Sequence, residues 1–396
     1  MGARGVVTAQ VVVVGAGPAG CSAAALLAEE GLDVALLDQG RFPREKVCGD
    51  GLTPRCSAML EEMGLAGLAG RAVQASDAYV VAPNGEAATL VVGRAGAALR
   101  RAELDAALVE HAGACGARLF LGAKAVGIAQ REDGVLVETG DGGGFAAAWA
   151  VLGTGAGIQG LMAAGLGRPA APVAVGRRAY FAGVELPPRT VAFCYERDLL
   201  PGYGWVFGLG DGTANVGVMT FPRRGRRAGR SLSAAFEAFV SGSAAGKRFL
   251  ARATRVGPAH SAPLRLGFAG GRLGAGRLLA VGDAAACANP LTGEGVYAAL
   301  VTGRLAARSI MAALREGRSP AQTLAGYRAA VGRAFARDYG HARLMRRLMA
   351  CPAVVNRLVR GSARHPELAD PLVRVIVEGA NPLGLLSPGR LAKLFL

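Results

Sequence analysis

Three glycines near the N-terminus have the spacing of a turn that binds dinucleotides. Gly15, Gly17 and Gly20 form the pattern Gly-x-Gly-x-x-Gly directly after the β-branched run at residues 11–14. In such a turn the first glycine permits the tight bend, the second lets a pyrophosphate approach the backbone, and the third lets helix and strand pack closely. The N-terminus of the following helix favours the negative charge of the phosphates. The pattern predicts a dinucleotide site, against the alternative of a glycine-rich turn without a ligand.

An acidic residue follows this turn at the distance expected of a ribose ligand. Asp38 ends the predicted strand at residues 34–37, close to the offset of roughly 20 residues that is typical of ribose-binding carboxylates. Its negative charge disfavours a ribose with a 2′-phosphate, because like charges repel. The turn and the carboxylate together do not separate FAD from NAD.

A second strand, turn and helix near residue 280 favour FAD. The apolar run at residues 278–281 precedes Gly282 and Asp283, and residues 289–295 lead into a long predicted helix at 296–315. Asp283 is suited to accept hydrogen bonds from ribityl hydroxyls, and N–H groups at the helix start would stabilise negative charge on a reduced flavin ring. A simple NAD domain does not need this segment. The alternative is that Asp283 only caps a helix.

The elements that must position these residues predict an α/β protein. Residues 11–14, a helix beginning near Pro18 and residues 34–37 form a βαβ unit with a right-handed crossover. Short strands punctuated by Gly and Pro occupy residues 76–95, with a hairpin turn at 83–85, and residues 173–220. They predict an antiparallel sheet inserted into a Rossmann-type domain.

This pattern divides the chain into three parts. We expect a discontinuous FAD-binding domain at residues 1–75, 96–170 and 271–324. A substrate-binding domain with the antiparallel sheet is expected at residues 76–95 and 171–270, and a C-terminal helical region at 325–396. A chain of 396 residues is long enough for two or three such units.

The composition excludes several classes of protein. With 52% apolar residues the chain is not disordered, and its 60 glycines lack the Gly-X-Y period of collagen. The seven cysteines and four histidines show no clustered ligand spacing, so we expect neither a disulfide framework nor a metal site. The uncharged stretch at residues 142–167 is broken by glycines and predicts a buried strand and a short helix rather than a membrane span. No signal-peptide pattern precedes the first strand, which predicts a cytoplasmic protein.

Further segments carry a resemblance to a known family. They are 42–51, which contains Phe-Pro-Arg-Glu-Lys-Val-Cys-Gly-Asp-Gly, 101–105, 202–207, which contains Tyr-Gly-Trp-Val-Phe, 210–218 and 282–295. With the glycine turn, these segments resemble the geranylgeranyl reductase family of FAD-dependent oxidoreductases, within the group that shares the p-hydroxybenzoate hydroxylase fold. The Cys-Gly and Tyr-x-Trp-x-Phe segments are the specific ones. Two departures are Gly208, where relatives usually carry Pro, and the Gly-Thr-Gly-Ala-Gly at 153–157, where they usually carry Asp-Gly.

The resemblance implies that FAD is the cofactor. It places the glycine turn at the pyrophosphate, Asp38 at the ribose, Arg101 near the cofactor and Asp283 at the ribityl chain. Arg101 suits this role because a guanidinium pairs well with phosphate, although a solvated arginine at a helix start is the alternative. The residues that we expect to bind FAD are Gly15, Gly17, Pro18, Ala19, Gly20, Asp38, Gln39, Lys46, Cys48, Gly49, Arg101, Ala125, Gly155, Gly282, Asp283, Gly293, Gly295 and Val296.

Three residues are expected to be catalytic. The resemblance implies that Cys48 lies beside the isoalloxazine, and a buried structural thiol is the alternative. Tyr203 and Trp205 alternate on one strand face and are expected to line an apolar tunnel, with ordinary core aromatics as the alternative.

The implied activity is the reduction of C=C bonds in a prenyl chain of geranylgeranyl type, carried on a diphosphate, a quinone or a lipid. Reduced FAD would supply hydride, and a nearby acid or water would supply the proton. The expected electron donor is NAD(P)H or a ferredoxin-like protein. A flavin-dependent monooxygenase or halogenase of the same fold is one alternative, and a non-catalytic basic protein that binds flavin or a membrane is another.

Half of the net charge of +16 lies in the last 72 residues, which hold 12 basic and four acidic side chains. Basic and apolar residues interleaved on helices suit contact with an anionic membrane surface, here the inner face of the membrane. The alternative is a solvated face over a hydrophobic core. The basic segment at residues 223–230 has no recognised nucleic-acid module around it, so we expect no specific nucleic-acid partner.

Overall fold

The computed structural model describes residues 5–167, 173–221, 231–269, 271–377 and 389–390. The basic segment at 223–230 and the apolar C-terminal end at 394–396 lie outside these residues. Within the described residues the chain forms two eight-stranded sheets. The strands are β1 (Val6–Val14), β2 (Val34–Asp38), β3 (Gly51–Leu52), β4 (Val73–Val81), β5 (Ala87–Ala98), β6 (Arg118–Leu121), β7 (Ala125–Gln130), β8 (Val135–Thr139), β9 (Gly144–Leu152), β10 (Ala174–Ala182), β11 (Thr190–Cys194), β12 (Tyr203–Gly208), β13 (Thr213–Thr220), β14 (Thr254–Leu264), β15 (Gly274–Ala275) and β16 (Leu278–Ala280).

Helices flank both sheets and continue beyond them toward the C-terminus. They are α1 (Pro18–Glu29), α2 (Pro54–Glu62), α3 (Ala66–Arg71), α4 (Arg101–Ala114), α5 (Ile158–Ala163), α6 (Leu232–Gly242), α7 (Ala244–Phe249), α8 (Val296–Glu316), α9 (Pro320–Met349), α10 (Pro352–Arg364) and α11 (Ala369–Val377). Two short 3-10 segments stand at Gly282–Ala285 and Pro366–Leu368.

The first sheet has the order β15-β16-β9-β1-β2-β6, and β8 joins its hairpin partner β7 to β9. Strands β16, β9, β1, β2 and β6 are parallel. Val11 and Val13 face a cluster that includes α1, α4 and α8, whereas Val12 and Val14 face the cluster on the other side. Both faces are covered, which explains why this strand is a continuous apolar run. Because the strands are parallel, the carboxyl ends of β1, β2, β9 and β16 meet at one edge.

The second sheet has the order β14-β10-β13-β12-β11-β4-β5-β3. Its neighbours pair antiparallel except for β4 and β11, which are parallel. Val206, Val216 and Val218 pack against α6 on one face. Trp205 and Phe207, on the other face, belong to a cluster that includes residues of α9, α10 and α11.

Helix α9 joins the two parts of the protein. It begins with a capping box between Ser319 and Gln322, which satisfies the first free N–H groups of the helix. Its Tyr327 hydroxyl donates to the carbonyl of Ala280 at 2.8 Å, at the end of β16. Its last residues pack with α10 and α11 against the second sheet.

The predicted fold class is confirmed, since a Rossmann-type unit, a second sheet and C-terminal helices are all present. The uncharged stretch at 142–167 forms β9 and the short α5. In the described part of the chain, every helix is too short or too polar to cross a bilayer. The division into domains at the residue numbers given above stays a prediction.

Candidate active site

A cavity of about 730 Å³ is lined by residues of both sheets. Its volume lies within the range of roughly 300–1,000 Å³ that is usual for small-molecule sites. One end reaches the carboxyl edge of the parallel strands, where the glycine turn, Asp38 and Asp283 lie. The other end is walled by apolar side chains of the C-terminal helices: Met349, Val355, Leu358, Val359, Leu372, Val373 and Ile376.

All but one of the predicted site residues line this cavity. The exception is Gly20, where an added Cβ would lie 1.8 Å from the carbonyl oxygen of Gly15, so that this glycine permits contact between helix and turn. The residues that line the cavity are Gly15, Gly17, Pro18, Ala19, Asp38, Gln39, Lys46, Cys48, Gly49, Arg101, Ala125, Gly155, Tyr203, Trp205, Gly282, Asp283, Gly293, Gly295 and Val296. The fold therefore brings together residues as far apart in the sequence as Gly15 and Val296.

The glycine turn leads directly into the start of α1 at the cavity wall. Gly15 has φ +102°, and a Cβ there would lie 2.3 Å from the carbonyl oxygen of Gly153. Gly17 is the N-cap of α1 and has no side chain that could cap the helix. A Cβ on Gly17 would have Arg44 as its nearest neighbour, at 3.9 Å. The first N–H groups of an α-helix have no partner within the helix, so the uncapped start of α1 and its helix dipole make this turn suitable for a phosphate group.

Asp38 is fixed between the turn and the start of the next loop. Its carboxylate accepts hydrogen bonds from the N–H groups of Ala16 at 2.8 Å and Gly40 at 2.7 Å. The guanidinium of Arg44 lies 3.6 Å from Asp38 and 3.4 Å from Asp105. These contacts hold the carboxylate at the cavity wall in one orientation.

The strand, turn and helix near residue 280 place two further glycine turns at the cavity. Gly282 has φ +62°, and its N–H donates to Thr302 Oγ1 at 3.0 Å. Gly293 has φ +70°, and Gly295 is the N-cap of α8 without a capping side chain. Asp283 is the second residue of the 3-10 segment Gly282–Ala285, and it lines the cavity.

Cys48 and Trp205 are joined through one amide side chain. Asn215 donates from Nδ2 to the carbonyl of Cys48 at 2.9 Å and to Asp50 at 2.8 Å, and its Oδ1 accepts from the indole of Trp205 at 2.9 Å. Burial raises the pKa of the Cys48 thiol, while the adjacent Arg101 guanidinium opposes this shift. Arg101 itself is held by a bidentate pair with Asp105 at 2.8 and 2.9 Å.

An aromatic wall continues from Trp205 along the cavity. Tyr203 and Phe207 flank Trp205 on the same face of β12, and Phe193 makes edge contacts with both Tyr203 and Phe207. The Tyr203 hydroxyl donates to the carbonyl of Thr292 at 2.6 Å. This bond joins the aromatic wall to the turn before α8.

Comparison with known proteins agrees with this arrangement. Residues 8–144 match the FAD binding domain family. A digeranylgeranylglycerophospholipid reductase from Methanococcoides burtonii is 31% identical over 320 residues, which cover 76% of this chain and 74% of that protein. A menaquinone reductase from Mycobacterium tuberculosis strain H37Rv is 34% identical over 321 residues, which cover 76% of each protein.

The chain belongs to the geranylgeranyl reductase family of FAD-dependent oxidoreductases. The prediction of an FAD-dependent reductase is thereby confirmed, and FAD is its cofactor. The first end of the cavity fits FAD, because it offers an open helix N-terminus for a pyrophosphate, a fixed carboxylate for a ribose and a second acidic turn. The non-catalytic alternative is not supported.

Solved structures place this reductase in a broader fold group. A geranylgeranyl bacteriochlorophyll reductase-like protein from Thermoplasma acidophilum superposes with a TM-score of 0.80 at 20% identity, covering 96% of this chain and 99% of that one. A flavin-dependent brominase superposes with a TM-score of 0.74, also at 20% identity, covering 94% of each chain. At this identity the likeness shows the shared fold, and the reductase relatives decide between the two classes.

Glu294 is a site residue that the sequence analysis did not single out, although its neighbours Gly293 and Gly295 were predicted. Its carboxylate lines the cavity and accepts a 2.6 Å hydrogen bond from the N–H of Tyr297. Loss of water around it raises the pKa of Glu294 to about 7; the charge of Asp283 adds to the shift, and the N–H groups at the helix start oppose it. The sequence does show an acidic residue at position 294 between two glycines of the strand-turn-helix motif, and this position could have identified Glu294 as a site residue.

Proposed function

We propose that this reductase saturates C=C bonds in the prenyl chain of a quinone or a glycerophospholipid. The observation that carries the proposal is the continuity of the cavity, which runs from the flavin motifs to walls of apolar side chains. A prenyl chain is long and apolar, and burying it there removes its surface from water. The menaquinone reductase and digeranylgeranylglycerophospholipid reductase relatives are named for substrates of this kind, which supports a prenyl chain as the substrate.

The proposed FAD ligands are the cavity-lining residues predicted above. Gly15, Gly17 and the N-terminus of α1 would hold the pyrophosphate, Asp38 the adenosine ribose, and Asp283 the ribityl chain. When bound, FAD supplies the hydride. Arg101 would keep positive charge near the cofactor, since its bond to Asp105 fixes the guanidinium at the cavity wall.

We propose Glu294 as the residue that supplies the proton. Its carboxyl lines the same cavity as Cys48 and Tyr203. A group with a pKa near 7 is well matched to give up a proton at neutral pH. The proposed role of Cys48 is to pack at the reacting end of the prenyl chain beside Trp205, where both residues exclude water.

The C-terminal helices are proposed to dock this site on an anionic membrane. Leu344 and Leu348 stand one turn apart on α9 and are 46% and 43% exposed. Arg343 and Arg347 are exposed beside them, and the adjacent Met349 lines the cavity. A membrane is where such substrates reside, and apolar and basic side chains together favour an anionic surface. The electron donor that we propose is NAD(P)H or a ferredoxin-like protein.

Anaerobic turnover tests the proposed reaction. The purified flavoprotein would be reduced with dithionite and incubated with menaquinone or with digeranylgeranylglycerophospholipid, and the products weighed by mass spectrometry. We expect products heavier by pairs of hydrogens in the chain, with fragmentation separating chain saturation from reduction of the quinone ring. If the prenyl chains of both substrates keep their mass, the proposal is refuted. A product that forms only with oxygen would favour a monooxygenase or halogenase.

A further inference from the structure

Three side chains with metal-binding atoms converge on the surface of the FAD-binding unit, away from the cavity. Glu29 is the last residue of α1, His111 lies in the last turn of α4, and Cys115 is the C-cap of α4. Their ligand atoms lie within 4.8 Å of one another. In the part of the chain that the structure describes, this is the one group of three such residues that converges in this way.

The distances within this triad match a tetrahedral metal site. The Cys115 Sγ lies 3.2 Å from Glu29 Oε1, 3.6 Å from His111 Nε2 and 3.9 Å from His111 Nδ1. Zinc bonds of about 2.3 Å to sulfur and about 2.0–2.2 Å to nitrogen or oxygen, at tetrahedral angles, set the ligand atoms about 3.5 Å apart. A metal ion would therefore need only small side-chain movements to bind all three.

The chemistry of the three ligands favours zinc. A thiolate and an imidazole exclude the hard cations Mg²⁺ and Ca²⁺, which prefer oxygen ligands. Zinc accepts sulfur, nitrogen and carboxylate oxygen together, and water fills the fourth position where the protein offers three ligands. The sequence predicted no metal site, but His111 and Cys115 stand one helical turn apart, which brings both side chains to the same face of α4.

We propose that Glu29, His111 and Cys115 form a zinc site that joins the end of α1 to the end of α4. The Cys115 thiol, which otherwise donates to Glu29, would lose its proton to solvent when the metal binds. Both helices lead away from the flavin end of the cavity: α1 begins at the glycine turn and α4 begins at Arg101. Zinc would thus stabilise the FAD-binding unit without touching the cofactor.

Zinc and cobalt titrations of the full-length flavoprotein, without an affinity tag, test the site. We expect one Zn²⁺ per chain by calorimetry and an increase in Tm. Co²⁺ should give thiolate charge-transfer absorption and, beyond the flavin bands, the d–d absorption of a tetrahedral site. Cys115→Ser and His111→Ala should abolish these signals. Glu29→Gln should weaken zinc binding by at least about tenfold, because removing a residue that only hydrogen-bonds to a metal ligand already costs about that much affinity.

Cys351→Ser is the matched control, because Cys351 is an exposed thiol distant in sequence from the triad. It should bind zinc as the unaltered protein does. Flavin content and Tm without metal check that each variant is folded, and the exposed Glu29 can be replaced with little risk to the fold. Zinc binding that is absent, that survives Cys115→Ser and His111→Ala, or that depends on Cys351 would overturn the proposal.

Discussion

The amide oxygen of Asn215 accepts a hydrogen bond of 2.9 Å from the indole N–H of Trp205. The amide nitrogen of the same side chain donates to the carbonyl of Cys48 and to the carboxylate of Asp50. Asn215 and Asp50 are both buried, with 0% and 1% of their surface exposed. One side chain therefore holds the proposed tunnel wall and the Cys-Gly loop in fixed positions relative to each other.

Replacing Asn215 with Ala should loosen both elements. Buried polar groups that lose their partner cost about 1–3 kcal/mol, so we expect the free energy of unfolding in urea to fall by at least about 1 kcal/mol. Turnover should fall in the protein that still holds flavin, because Trp205 and Cys48 are no longer held together. Asn356→Ala, at an exposed hydrogen bond, is the control. Unchanged stability and turnover in Asn215→Ala would contradict this role.

Glu294 should make turnover depend on pH. Because the proposed donor must be protonated, turnover should fall as the pH rises through the pKa of about 7. Glu294→Gln keeps an oxygen for the Tyr297 N–H but cannot release a proton, so its turnover should be low and lack this decline. A pH profile that is the same in both proteins would exclude Glu294 as the donor.

The same carboxyl should affect stability without any substrate. Its pKa is raised from 4.5 to about 7 on folding, so the folded chain binds more protons than the unfolded chain between these pH values. Its contribution to the free energy of unfolding therefore declines as the pH rises across this range. Urea unfolding of the protein without flavin should show this decline, and Glu294→Gln should reduce it.

Gly17→Ala should weaken FAD binding while leaving the fold intact. The nearest atom to the new Cβ would be 3.9 Å away, so the protein itself has room for it. The methyl group would instead enter the space where a pyrophosphate approaches the turn. We expect the Kd for FAD to rise at least about tenfold, which is about 1.4 kcal/mol. Gly67→Ala in α3, where a Cβ meets nothing within 4 Å, should bind FAD normally.

Leu90 and Val91 offer a test of the apolar tunnel, because they are adjacent on β5 but face opposite ways. Leu90 lines the cavity and is 5% exposed, whereas Val91 is 70% exposed. Leu90→Trp should shorten the space for the prenyl chain, so turnover of long substrates should fall more than that of short ones. Flavin content should not change. Val91→Trp should leave both substrates unaffected, and equal effects of the two variants would argue against the tunnel.

The sequence predicted the local motifs well and the contacts between distant segments poorly. The glycine turn and Asp38 belong to one βαβ unit, whose geometry follows from strand and helix patterns. Asn215 lies 167 residues from Cys48, and Glu29 lies 86 residues from Cys115. The packing of the sheets and helices decides which polar side chains meet across such separations. The spacing of residues along the sequence does not reveal that packing. The shifted pKa of Glu294 has the same origin, since it arises from the walls of the cavity.

Leu344 and Leu348 should determine binding to anionic membranes. The double variant Leu344→Glu/Leu348→Glu removes two exposed apolar side chains and adds negative charge beside Arg343 and Arg347. We expect it to lose co-sedimentation with vesicles of phosphatidylglycerol and phosphatidylcholine while it keeps its flavin and its turnover of substrate in detergent. Leu314→Glu, at an exposed position of α8, is the control and should still bind. Binding of the unaltered protein should weaken as salt is added, because salt screens charges at the surface. If the double variant binds these vesicles as tightly as the unaltered protein, the docking surface lies elsewhere.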